Sequence, residues 1–127
     1  LERPELCRGV VDFAVPATYS QKPVQDPVFV FVLDVSFHSV VSGVLDATIR
    51  GVRGALAELP DNPKTRVGLV CFDSSLYAFN VHPTLSEPQL AEMADMDDPF
   101  SPLPPDCWAP KYSEAKHQIA AALDRIP

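Results

Sequence analysis

A mixed, mostly parallel α/β sheet with flanking helices is the fold class that three observations predict. Val28-Phe-Val-Phe-Val-Leu33 is apolar without a break. It is followed by a long stretch in which apolar residues recur every three or four positions. A second apolar run, Arg66 to Phe72, and an alternating segment, Leu76 to Val81, come next. Strand, crossover helix, strand and hairpin arm is the order of an α/β sheet with a helix on at least one face.

Taken in order, residues 9–15 place Val11, Phe13 and Val15 on one side of an extended segment that Pro16 stops. Residues 20–27, with Lys22-Pro23 and Asp26-Pro27, read as a linker. Residues 1–26 thus lead into a domain that occupies 27–127. The run 28–33 is β-branched or aromatic on both faces, as in a central parallel strand covered on both sides. From Ser39 to Leu59, Val41, Leu45, Ile49, Val52, Leu56 and Leu59 form one stripe, with Asp46, Arg50 and Arg53 opposite. Asp46 and Arg50 are also spaced to pair, four apart. Ser36 or Ser39 is the expected N-cap and 60–63 the terminator of a helix roughly 30 Å long. Arg66–Phe72 and Leu76–Val81 predict a hairpin ending at a sheet edge. Residues 89–96 carry a helical spacing in Leu90, Met93 and Met96, bounded by Pro88 and Pro99. Tyr112 to Ile126 predicts a second amphipathic helix, with Ala115, Ile119, Ala122, Leu123 and Ile126 on its stripe.

Composition narrows the function. The 127 residues suffice for one domain, and 46% are hydrophobic against 21% charged. A net charge of -7 repels phosphate backbones and anionic lipid, which argues against nucleic-acid and polybasic membrane roles. No apolar stretch approaches the roughly 20 residues that span a bilayer. The N-terminus lacks a basic and apolar leader and an initiator Met, so it reads as a cut inside a longer protein. Of the 14 prolines, eight fall between Pro83 and Pro127, predicting an irregular, rigid-jointed excursion. Three widely spaced cysteines without a CxxC suit a reducing compartment.

Few residues carry chemistry. Asp34-Val35-Ser36 sits where a parallel strand meets a helix, the place where α/β sheets bind ligands. Its carboxylate and hydroxyl are hard oxygen ligands for Mg²⁺ or Ca²⁺; equally, they cap the helix and close the turn. A von Willebrand A-type metal site has Asp-x-Ser-x-Ser there. Here His38 takes the second serine's place and Ser39 comes one residue late. Asp34, Ser36 and His38 are therefore degenerate metal-site positions expected to be empty. His38, His82 and His117 are scattered without metal-ligand spacing. Cys71 with His82 would be a nucleophile and base, but Cys71 lies in a buried-type strand. Asp95, Asp97 and Asp98 form an acidic loop, and the five glycines make no phosphate loop. No catalytic set assembles among these residues.

Several segments resemble one family in order and spacing. They are Arg3-Pro-Glu-Leu-Cys7-Arg-Gly9 with Tyr19, Phe31-Val-Leu-Asp-Val-Ser36 with Ser42-Gly43-Val-Leu45, and Thr65-Arg66-Val-Gly68. They continue with Phe72-Asp-Ser74, Phe79-Asn80, and Asp95-Met-Asp97-Asp98-Pro-Phe100-Ser-Pro102. Together they resemble the cargo-adaptor subunit of the inner COPII vesicle coat, the Sec twenty-four type. Its sister, the GTPase-activating subunit, is expected to have threonine and cysteine where Val35-Ser36 stand.

The resemblance implies the N-terminal part of an A-type trunk domain without enzymatic activity, so the chain is a fragment. It implies pairing with the sister subunit and reading of sorting signals in cytoplasmic cargo tails on the endoplasmic-reticulum membrane. Zinc is implied only in a finger upstream of Leu1, with no cofactor in 1–127. The resemblance also makes 89–96 extended rather than helical. Phe100 and Trp108, aromatics of the Pro-rich excursion, are candidates for a partner interface or for the core. The alternative is an A-type metal-dependent ligand-binding or adhesion domain, which His38 disfavours.

Overall fold

Among the described residues, four strands form one sheet in sequence order: β1 (Val28–Asp34), β2 (Arg66–Phe72), β3 (Leu76–Asn80) and β4 (Gln89–Met93). The computed structural model describes residues 3, 6–19, 22, 25–60, 62–98 and 100–126. Much of the expected linker 20–27, together with Pro4, Glu5, Asp61, Pro99 and Pro127, lies outside them. β1 and β2 are parallel, in register from Val28 opposite Arg66 to Asp34 opposite Phe72. β3 runs antiparallel to β2, and β4 antiparallel to β3. The hairpin therefore does not end the sheet as expected. β4 does, and 89–93 is extended, as the family resemblance implied rather than the methionine spacing.

The helix expected over 39–59 is two helices, α1 (Phe37–Val41) and α2 (Val44–Ala57). Gly43 between them has φ +77, a left-handed conformation that side chains resist. Apolar spacing passes through the break without registering it, because the stripe needs only a common buried side. α2 returns antiparallel to β1 and buries Leu45, Val52 and Leu56. Asp46 and Arg50 do not pair; Arg53 instead bonds Asp124 at 2.6 Å, joining α2 to α4 (Tyr112–Arg125). Tyr112 adds a second tie, its hydroxyl donating to the Leu56 carbonyl at 3.2 Å.

Strand alternation then decides the core. Val67, Leu69 and Cys71 of β2 point to one face with Leu33 and Phe79, where Ala115, Ile119, Ala122 and Leu123 of α4 cover them. Each such aliphatic burial contributes about 1.5–3 kcal/mol for the larger side chains. On the opposite face, α3 (Pro105–Trp108) packs on β2 and β3, with Trp108 against Gly68. β1 is less covered. Val28, Val30 and Val32 are exposed, Val32 to 58%, and β2 is its one partner among the described residues. Upstream, 11–16 forms no strand ladder, and Phe13 and Val15 are exposed.

Candidate functional site

Because β1 and β2 are parallel, the residues that follow them meet. The Val35 N–H donates to the Phe72 carbonyl at 2.9 Å, so Asp73 emerges beside Asp34. Asp34 Oδ1 accepts the Ser36 N–H at 2.8 Å. Contact with the Ser36 hydroxyl, then with its N–H, holds the Asp34 carboxyl below the usual carboxylate range. The neighbouring Asp73 charge opposes this and His38 assists it. Asp73 Oδ1 in turn accepts the Ser75 N–H at 2.9 Å, the main cause of its own lowered pKa.

The structure thus brings Asp34, Ser36 and His38 to one strand end and adds Asp73, which spacing alone assigns to a turn. The signal that could have found Asp73 is the parallel pairing, since both strand ends then open on the same edge. Ser36 occupies the N-cap position of α1 but makes no side-chain cap hydrogen bond. Ser39 is buried within α1, its hydroxyl without a hydrogen-bond partner, and is not displayed beside exposed Asp34. His38 is exposed, its ring edge-on to Phe37 at 5.9 Å between centroids. Among the described residues, no three His, Cys, Asp or Glu side chains cluster in a metal-holding arrangement.

On the helical side of this edge lies a largely apolar cleft of about 230 Å³, floored by Cys71, Tyr77, Phe79 and Leu90. Arg125 stands at its rim, paired with Glu87 and donating to the Pro88 carbonyl at 2.8 Å. The Cys71 thiol is 3% exposed and pushed up to about 11 by burial, the opposite of an activated nucleophile. β2–β3 register puts Tyr77, not His82, opposite Cys71. His82 lies about five residues further along, roughly 17 Å at strand rise, and its Nδ1 is 2.7 Å from the Thr84 hydroxyl. Cys71 and His82 are therefore not brought together.

The two aromatics of the Pro-rich excursion part company. Trp108 is half-buried with its ring against Gly68 of β2. Phe100 is 80% exposed. The acidic loop folds on itself, Asp95 Oδ1 accepting the N–H groups of Asp97 and Asp98 at 3.1 and 3.3 Å.

Fold and strand end together define an A-type α/β domain of the von Willebrand kind, its strand-end carboxylates engaged in turns. Comparison with known proteins is more specific. The Sec23/Sec24 trunk domain matches residues 24–127. Protein transport protein SEC24 A of Arabidopsis thaliana is 36% identical over 126 residues, which is 99% of this chain. Protein transport protein sec24 of Aspergillus niger is 37% identical over 128 residues, 98% of this chain. The chain spans 12% and 14% of the lengths of those two relatives. The crystal structure of the human COPII-coat protein Sec24c superposes with a TM-score of 0.72 at 30% identity, covering 81% of this chain and 14% of that one. The chain belongs to the Sec23/Sec24 trunk-domain family.

Proposed function

We propose that the chain serves as the N-terminal part of the trunk of a non-enzymatic COPII cargo adaptor, with 1–26 leading into 27–127. The observation that carries this is the 36% identity, across 99% of the chain, to a relative named as a protein transport protein. The separation of Cys71 from His82 and the burial of the thiol support a role without catalysis. In this reading the whole protein pairs with the GTPase-activating sister subunit and selects cytoplasmic tails of cargo membrane proteins. It does so in the cytoplasm, on the face of the endoplasmic-reticulum membrane. No helix among the described residues is long and apolar enough to cross a membrane, which agrees with peripheral attachment. Zinc belongs to a finger upstream of Leu1, and 1–127 holds no cofactor.

The test is co-purification of the full-length protein with the sister subunit, followed by capture of cargo-tail peptides on the pair. A stable heterodimer that retains tail peptides is expected; absence of any heterodimer overturns the reading. The strand end is proposed to work without a cation, because Asp34 Oδ1 already accepts Ser36 N–H and His38 stands where a hydroxyl is needed. Calorimetric titration with Mg²⁺ checks this. A dissociation constant below roughly 1 mM, about -4 kcal/mol, that disappears in Asp34→Ala would overturn it.

A further inference from the structure

We propose that the outer edge of β4 binds an extended, basic peptide segment of a partner protein by strand addition. The peptide sets an apolar side chain beside Leu90 and a Lys or Arg beside Glu92. This goes beyond the coat-adaptor reading and does not depend on it.

The free backbone defines the shape of the ligand. β4 pairs with β3 along one side, and among the described residues no strand pairs with its other side. In an antiparallel pair only alternate residues exchange backbone hydrogen bonds with their neighbour. The remaining N–H and C=O groups of β4 point away from β3, and no backbone group elsewhere in the described residues bonds to them. Such a row is complementary to one kind of ligand, another extended backbone.

Side chains then define which extended backbone fits. Leu90 lies opposite Phe79 and Glu92 opposite Tyr77, so both stand on the sheet face that α4 covers. Leu90 is 56% exposed at the margin of the apolar cleft over Cys71, Tyr77 and Phe79. An added strand sets one side chain beside Leu90, where it covers this apolar surface. Its next side chain on the same face, two residues along, falls beside Glu92.

Charge selects the sign of that second side chain. Glu92 is exposed, and Asp95, Asp97 and Asp98 follow it, exposed as well. Arg125, the cation at the cleft rim, is already paired with Glu87. The edge therefore presents uncompensated negative charge and favours Lys or Arg directly across from Glu92. A second copy of the chain would bring the same carboxylates and a net charge of -7, which disfavours edge-to-edge self-pairing.

The experiment follows fluorescence anisotropy of a labelled, end-capped peptide, Thr-Lys-Thr-Leu-Thr-Val-Thr, as purified full-length protein is added. Its threonines favour an extended chain. A second peptide carries N-methyl groups on the lysine and the threonine after it, so one of the two lost donors must face β4. A third has glutamate in place of lysine. The first peptide is expected to bind, the N-methylated one about tenfold more weakly and the glutamate one about fivefold more weakly. Glu92→Lys is expected to reverse the preference between lysine and glutamate. Equal binding of the N-methylated peptide overturns strand addition, and an unchanged charge preference in Glu92→Lys overturns β4 as the place. No binding of the first peptide overturns the proposal, as when another part of the full-length protein already occupies this edge. Should Glu92→Lys fail to fold, the N-methyl comparison on the unaltered protein still decides. None of these outcomes bears on pairing with the sister subunit, whose test is separate.

Discussion

A β-carbon built on Gly68 would lie 2.8 Å from Cε3 of the Trp108 ring and 3.0 Å from the Trp108 carbonyl oxygen. Both distances are below van der Waals contact, so the tryptophan closes on β2 only because residue 68 has no side chain. This contact holds α3 against the sheet face that α2 and α4 leave open. Gly68→Ala is expected to push the ring outward and cost about 1–3 kcal/mol. Trp108→Ala removes the neighbour, so adding Gly68→Ala to it should cost much less than it does alone. A double-mutant cycle in denaturant unfolding measures the difference, and strict additivity would show that the two residues do not act together.

Gly43 meets nothing within 4 Å of an added β-carbon, yet its φ is +77. Gly43→Ala should therefore destabilise through the backbone alone, by about 1–2 kcal/mol. Gly43→Asn should cost less, since asparagine tolerates the left-handed region better. Equal melting temperatures for Ala and Asn would contradict this origin.

Val28, Val30 and Val32 form an exposed apolar row on β1. An edge of this kind pairs with other chains unless something covers it. Isolated 25–127 should therefore associate with rising concentration, and Val30→Lys with Val32→Lys should suppress it. Light scattering across a concentration series is the check; a concentration-independent monomer would refute the expectation.

Arg66 Nη2 bonds Asp106, and its Nε donates to the Ala109 carbonyl at 2.7 Å, tying β2 to α3. Hydrogen bonding to Arg66, then its charge, holds the Asp106 carboxyl below its ordinary value. A depressed folded pKa means stability that is present above the unfolded value near 3.9 and lost as pH falls through the folded one. Asp106→Asn should consequently melt earlier than the unaltered protein at pH 6, with the gap closing below about pH 4. A gap that persists at pH 2 would place its origin elsewhere.

Much of the fold was legible from spacing alone. Val28–Leu33, Arg66–Phe72 and Tyr112–Ile126 became β1, β2 and α4 because each carries its pattern within one contiguous segment. The segment 89–96 was not legible that way. Leu90, Met93 and Met96 have helical spacing, but pairing with β3 supplies backbone hydrogen bonds that extend 89–93 instead. At the strand end, Asp34, Ser36 and His38 could be placed from the motif. Asp73 could not, since its approach depends on a parallel strand pairing across 38 positions, Asp34 to Phe72.

By itself the amino-acid sequence determined β1, β2, β3 and α4 as strands and helix, and the family. Those follow from local periodicity, from residue types and from motifs kept in order. Only the tertiary structure decided that the crossover breaks at Gly43, that β4 closes the sheet, and that Trp108 packs while Phe100 stays in water. Backbone angle, strand neighbour and burial are set by contacts between residues distant in the chain. Gly68 and Trp108, forty positions apart, are the plainest instance: neither residue's role can be read without the other against it.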